Sequence, residues 1–88
     1  MWKVASLVAA AFASPDAFAA ANCPKYPKNE WMPQAEAKAK IAAQGYKIRK
    51  FKVDGNCYEI YGWNKEGKKV EIYFDARTLA VVKSEIEK

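Results

Sequence analysis

The sequence contains no histidine, and only two cysteines, four glycines and four prolines among its 88 residues. Without His the chain lacks the usual general base, the commonest metal ligand and the one side chain that ordinarily titrates near neutral pH. Beyond residue 21 the hydroxyl nucleophiles are reduced to Ser84 and Thr78, so a hydroxyl with an adjacent imidazole cannot be assembled. The acidic residues are scattered, with no Asp-rich loop, and we expect no metal and no cofactor. Asp54-Gly55-Asn56 resembles a fragment of a calcium loop, but the spaced ligands and closing Glu are missing and a hairpin turn accounts for it. There is no Gly-rich phosphate loop, no internal repeat and no low-complexity tract, and the length admits at most one small domain. The chain reads as a non-enzyme whose function lies in a surface.

The N-terminus has the order of a secretory signal: Lys3, a mostly apolar run from Val4 to Phe12, then Ala17-Phe18-Ala19 as a small-x-small cleavage pattern. The run is too short to span a bilayer, which takes ~20 residues, and Pro15 and Asp16 interrupt it. We expect a signal peptide over 1–21, cleaved near Ala19 to Ala21, and a periplasmic or secreted product with no transmembrane anchor. Removing residues 1–21 takes away Lys3 and Asp16, so the net charge of +5 stays with the folded part. Cys23 and Cys57 are the only candidates for a disulfide, and an oxidising compartment favours a bridge between them over two free thiols or an intermolecular link. Their spacing fits neither a redox CxxC motif nor a haem-attachment site.

Residues 22–32, with Pro24 and Pro27, read as an extended lead-in tethered by that bridge, and residues 33–88 as the domain. Pro33 suits the first turn of a helix, Glu36 and Lys40 form an i,i+4 pair, and Gly45 suits a C-terminal cap, which predicts one helix over Pro33 to Gln44. Its inner face is poorly defined: Met32, Ala35, Ala39, Ala42 and Ala43 form one stripe, while Ala37 and Ile41 point elsewhere. From Tyr46 the pattern changes to period two and predicts an antiparallel meander. A two-residue turn at Asp54-Gly55 sets Val53 opposite Asn56, Lys52 opposite Cys57, Phe51 opposite Tyr58 and Lys50 opposite Glu59. Ile48 and Tyr46 are out of phase with Phe51 and Val53, which predicts a β-bulge near Arg49-Lys50 and brings Ile48 opposite Ile60. A loop at 64–68 sets Gly62 opposite Val70, Ile60 opposite Ile72 and Tyr58 opposite Phe74, so every inward pair is apolar or Gly. The expected inner face is Ile48, Phe51, Tyr58, Ile60, Val70, Ile72 and Phe74. A fourth strand, about Ala80 to Ile86, follows a turn at Asp75 to Thr78, and Val81-Val82 fits either phase. The fold class is therefore α+β, one N-terminal helix packed on a three- to four-stranded antiparallel meander.

These features together resemble a PepSY-type domain. The resemblance rests on the Cys23-Pro24 lead-in, Trp31-Met32-Pro33 with the Ala-rich helix to Gly45-Tyr46, Cys57-Tyr58-Glu59-Ile60-Tyr61-Gly62, and Lys69 to Asp75 through Thr78. In similar sequences a Gly commonly follows the Thr of the last turn, whereas Leu79 stands here. The resemblance implies a helix on an antiparallel sheet and a non-catalytic module of protease propeptides and envelope proteins, for which protease inhibition or protein binding has been proposed. It brings no catalytic residues.

On the outer sheet face the register places Tyr61, Trp63 and Tyr73 near Lys47, Arg49, Lys50 and Lys52. Aromatic and basic groups together form a contact surface for a protein or peptide, possible partners being an envelope protein, a protease among them, or a membrane protein. The same residues also fit a sheet held by cross-strand pairs with no partner at all. Glu59 and Glu71 share this face and read as surface cross-strand pairs, Glu59 with Lys50 and Glu71 with Tyr61. The second functional reading is a cationic binder of anionic phospholipid or envelope polymers, its attraction weakened by salt. Nucleic acid is not expected in an exported setting. A bridge from Cys57 would lay Pro24, Tyr26 and Pro27 on the same outer side, where they could cover part of the aromatic patch.

Overall fold

The structure is a computed structural model that describes residues 21–87, so the expected signal peptide lies outside the described residues except for Ala21. After an extended lead-in with a 3-10 turn at Lys28–Glu30 come a helix, α1 (Gln34–Ala43), and four strands, β1 (Lys47–Asp54), β2 (Cys57–Trp63), β3 (Lys69–Asp75) and β4 (Val81–Ile86). The strands form one antiparallel sheet in the order β1-β2-β3-β4, so β1 and β4 are its margins.

Pro33 supplies the N-cap of α1, Glu36 and Lys40 form an exposed ion pair at 3.2 Å, and Gly45 ends the helix at φ +106, a conformation that costs a residue without Cβ little. The Ala stripe is not the inner face. Ala37 and Ile41 are the buried residues of α1, while Ala35, Ala39, Ala42 and Ala43 are exposed. Ile41 is the one large aliphatic side chain of the helix, so its burial outweighs that of any set of methyl groups, and Ala37 one turn earlier lets the backbone approach the sheet. Met32 packs on the core as expected.

The β2–β3 register matches the expected pairs, Gly62 with Val70, Ile60 with Ile72 and Tyr58 with Phe74. Between β1 and β2 the expected pairing is displaced by two residues. Asp54 pairs with Cys57, Lys52 with Glu59, Phe51 with Ile60 and Lys50 with Tyr61, because the central turn residues are Gly55 and Asn56. Gly55, at φ +61, takes the first central position, whereas a turn centred on Asp54-Gly55 would ask Asp54 to leave the extended conformation. An even displacement leaves every side chain on its expected face. The bulge falls at Arg49, as the phase break predicts, and Ile48 beyond it faces Gly62 rather than Ile60.

At that point the strands lie so close that a Cβ on Gly62 would sit 1.9 Å from the Lys47 carbonyl oxygen. Gly62→Ala is therefore expected to force β1 away from β2 and to cost on the order of 2 kcal/mol in denaturant unfolding, a value typical of overpacking. An unchanged midpoint would show that the bulge absorbs a methyl group freely.

In β4 a second irregularity leaves Val82 unpaired between Val81, opposite Phe74, and Lys83, opposite Tyr73, which is why Val81-Val82 fits both phases in sequence. The preceding turn is built on Asp75, whose Oδ1 accepts from the N–H groups of Arg77 and Thr78. Leu79, where similar sequences commonly carry Gly, stands at φ +63 and keeps its side chain buried. Left-handed backbone costs a branched residue about 1 kcal/mol, which burial of a Leu side chain exceeds.

The core is formed by Ala37, Ile41, Tyr58, Ile60, Val70, Ile72, Phe74, Ala76 and Leu79, with Trp31, Met32, Tyr46, Ile48 and Phe51 packed against it. The lead-in reaches it by rounding one end of the sheet. Cys23 is bonded to Cys57 on the outer face, the Tyr26 hydroxyl donates to Asp75 at 2.9 Å, the Met32 N–H donates to the Ala76 carbonyl, and Trp31 meets Tyr58 edge to face on the inner side. The Tyr58 hydroxyl, raised above its ordinary pKa by burial, donates to the Met32 carbonyl.

Candidate functional site

The two registers arrange the outer face in four rows. Asp54, Cys57 and Asp75 form the first; Lys52, Glu59, Tyr73 and Lys83 the second; Lys50, Tyr61, Glu71 and Glu85 the third; Lys47, Trp63 and Lys69 the fourth. The row where the lead-in is anchored is acidic, the two middle rows are mixed in sign, and the row at the opposite end is basic, with Glu87 beside Lys69 at its margin.

The first row is closed by the lead-in. Burial alone would raise the Asp75 carboxyl, but the N–H groups of Thr78 and Arg77 and the Tyr26 hydroxyl outweigh it and hold the group below the usual carboxylate range. Tyr26 is raised in turn by its bond to Asp75, and the Arg77 guanidinium lies 5.3 Å from its ring. These contacts lie at the other end of β2 from Trp63, so the lead-in leaves that end of the aromatic surface clear.

The second and third rows hold a feature that the expected surface pairing does not describe. Glu59 is 0% exposed and neither of its oxygens accepts a hydrogen bond, its cation partner being Lys52 at 3.8 Å instead of the expected Lys50. Burial first, then the neighbouring Glu71, raises the Glu59 pKa to about 7. Two ionised carboxylates have only acceptors to offer each other; a proton on Glu59 turns it into a donor to Glu71. Glu71 is correspondingly lowered by the neighbouring Glu59, against the effect of its own burial, and accepts from Tyr73 at 3.0 Å. Tyr61 is raised chiefly by the neighbouring Glu59, Tyr73 chiefly by burial and then by Glu71. As pH falls below about 7 the cluster takes up one proton on Glu59, next to two neutral phenols. It has no nucleophile, and among the described residues no group of three or more Cys, Asp or Glu could hold a metal ion.

The fourth row opens into a groove of about 450 Å³ lined by Gly45, Lys47, Trp63, Asn64, Lys65 and Gly67. Of the residues expected at the contact surface, Tyr61, Trp63, Lys47, Lys50 and Lys52 come together on one side, with Lys50 and Lys52 each 5.9 Å from the Tyr61 ring. Arg49 is exposed at the bulge. Tyr73, at 7% exposure and bonded to Glu71, has little surface to offer a partner. Sequence reasoning missed Lys65, Lys68 and Lys69. The signal for Lys69 was available, since pairing Gly62 with Val70 places it opposite Trp63.

A small helix-on-sheet module is the class that this geometry defines. Comparison with protein families matches residues 3–85, nearly the whole chain, to the peptidase propeptide and YPEB domain. The chain belongs to that family, the PepSY family. Domains of this type are generally non-catalytic, often propeptide or regulatory in role, often associated with proteases and typically extracellular or periplasmic. No curated protein and no solved structure matches significantly. No helix among the described residues is long and apolar enough to cross a membrane.

Proposed function

We propose that the chain is a non-enzymatic, exported interaction module that regulates an envelope protein, a protease or a membrane protein being the partner kinds that suit its family, and that it docks through the Tyr61 and Trp63 side of the outer face. The observation that carries this reading is the division of that face. The disulfide and lead-in occupy one end, Glu59 and Glu71 the middle, and the end with Trp63 combines a half-buried aromatic with an open concavity. Large aromatic side chains beside cations are the residues that most often dominate binding energy.

Crosslinking in intact cells followed by mass spectrometry tests it. A recurrent protein partner is expected with the native chain, and Trp63→Ala should reduce its capture at least tenfold, a loss ordinary for a central aromatic. Undiminished capture by a folded Trp63→Ala variant overturns the docking surface. The lysines of the fourth row, which make no ion pair among the described residues, favour a second reading, attachment to anionic phospholipid or envelope polymers. Retention on isolated envelopes that vanishes at moderate salt, with no protein captured, would support it.

A further inference from the structure

We infer that the groove beside Trp63 is a receptor for an acidic peptide segment, its carboxylates taken up between Lys47, Lys65 and Lys69. This rests on the reading of the chain as a protein-binding module and names the chemistry of the partner. Lys47 and Lys69 flank Trp63 from the two neighbouring strands, and Lys65 and Lys68 project from the loop that closes the groove. None of these four lysines makes an ion pair among the described residues, whereas Lys40, Lys52, Arg77 and Lys83 each do. Glu66 is the only acid on the loop. Glu87, whose N–H donates to the Lys69 carbonyl, is the other acid nearby, so four lysines stand against two carboxylates. The surplus of like charge focuses a positive potential into the concavity between Lys47 and Lys65.

The groove is also built before any ligand arrives. Asn64 Oδ1 accepts from the N–H groups of Glu66 and Lys68 at 3.0 and 2.9 Å, and the Asn64 N–H donates to the Lys68 carbonyl at 2.8 Å, which fixes the loop. The Lys65 stem lies over Gly45, where a Cβ would meet its Cε at 3.0 Å, so its ammonium group is carried across from the loop to the end of α1. Gly67 contributes backbone without a side chain, and a Cβ there would meet nothing within 4 Å. The indole of Trp63 supplies an apolar wall for the methylene groups and backbone of an Asp or Glu residue. A lipid surface suits the site less, because residues 65–68 of the loop, Lys-Glu-Gly-Lys, include no apolar side chain to enter the headgroup layer.

The test is an NMR titration of the full chain, in which Trp63 and Trp31 give separate indole N–H resonances. The probe is a blocked peptide of alternating Glu and Gly, with a Gln and Gly peptide of equal length and phosphatidylglycerol vesicles as comparisons. The Glu peptide is expected to move the Trp63 resonance and leave that of Trp31 in place, the Gln peptide to move neither. Lys47→Glu/Lys69→Glu should weaken the Glu peptide roughly tenfold or more, as reversal of contacting charges does. Equal binding of the Gln peptide, indifference to charge reversal, or a response to vesicles alone overturns the proposal. An unmoved Trp31 resonance and unfolding midpoint confirm that the variant is folded. In cells, a partner that needs Trp63 but is captured undiminished by Lys47→Glu/Lys69→Glu overturns the acidic-peptide inference and leaves the interaction module standing; a partner indifferent to Trp63 removes the module's docking surface itself.

Discussion

Cys23→Ala/Cys57→Ala is expected to lose about 4 kcal/mol of stability, the loop-closure value for the 34-residue separation between the two positions. In a chain of this size that is a fall of roughly 20 °C in the thermal midpoint. The loss is large because the bridge joins the lead-in to a fully buried position at the start of β2, and because a domain of this length has a small core. Denaturant unfolding of the double variant beside the native chain measures it. A loss below ~1 kcal/mol would mean that the Tyr26, Trp31 and Met32 contacts close the loop without covalent help. The Trp63 resonance should stay in place, since the bridge sits at the other end of β2.

Glu59→Gln is expected to stabilise the protein by roughly 3 kcal/mol above pH 8 and to leave it almost unchanged near pH 4. The folded-state pKa of Glu59 stands near 7, above its ordinary value of 4.5, so the folded chain binds this proton more tightly than the unfolded one. The proton's contribution to stability is full below pH 4.5 and is lost as pH rises through 7. Gln supplies a permanent donor where the native chain needs a proton, and it removes the charge that desolvation penalises. Stability measured against pH should therefore fall between pH 5 and 8 for the native chain and lie flat there for the variant. Glu71, lowered in the fold, has the opposite sign: its contribution is present above its ordinary pKa and lost as pH falls. A native profile without a slope between pH 5 and 8 would show that Glu59 is solvated and ionised throughout.

How far the sequence could be read depended on what a wrong reading would have exposed. An odd slip between β2 and β3 would have turned Ile60 and Ile72 outward, so apolar alternation determined those pairs, and the phase break at Ile48 located the bulge at Arg49. The slip of two between β1 and β2 changes partners without changing faces, so hydrophobicity is blind to it and only the needs of Gly55 decide. That single displacement moved Glu59 from Lys50 to Lys52. The helix face was illegible for a different reason: six of its ten residues are Ala or Ile, and with Ala on nearly every side the pattern has no strong direction. The docking end was partly legible, Trp63 and Lys47 through strand alternation. Lys65 and Lys68 sit on a loop, where period-two arguments stop.

The interruptions at Arg49 and Val82 fall on β1 and β4, the two margins of the sheet. Continuous flat edges are what fibrils grow from, each new strand copying the pleat of the last. Here both edges lose their pleat partway along, so a second native molecule cannot continue the ladder in phase. Assembly into cross-β aggregates must then begin from opened chains, and its rate follows the small unfolded population rather than the concentration of folded protein. Two single-residue irregularities thereby guard a domain with four strands and little helix against growth from its own edges.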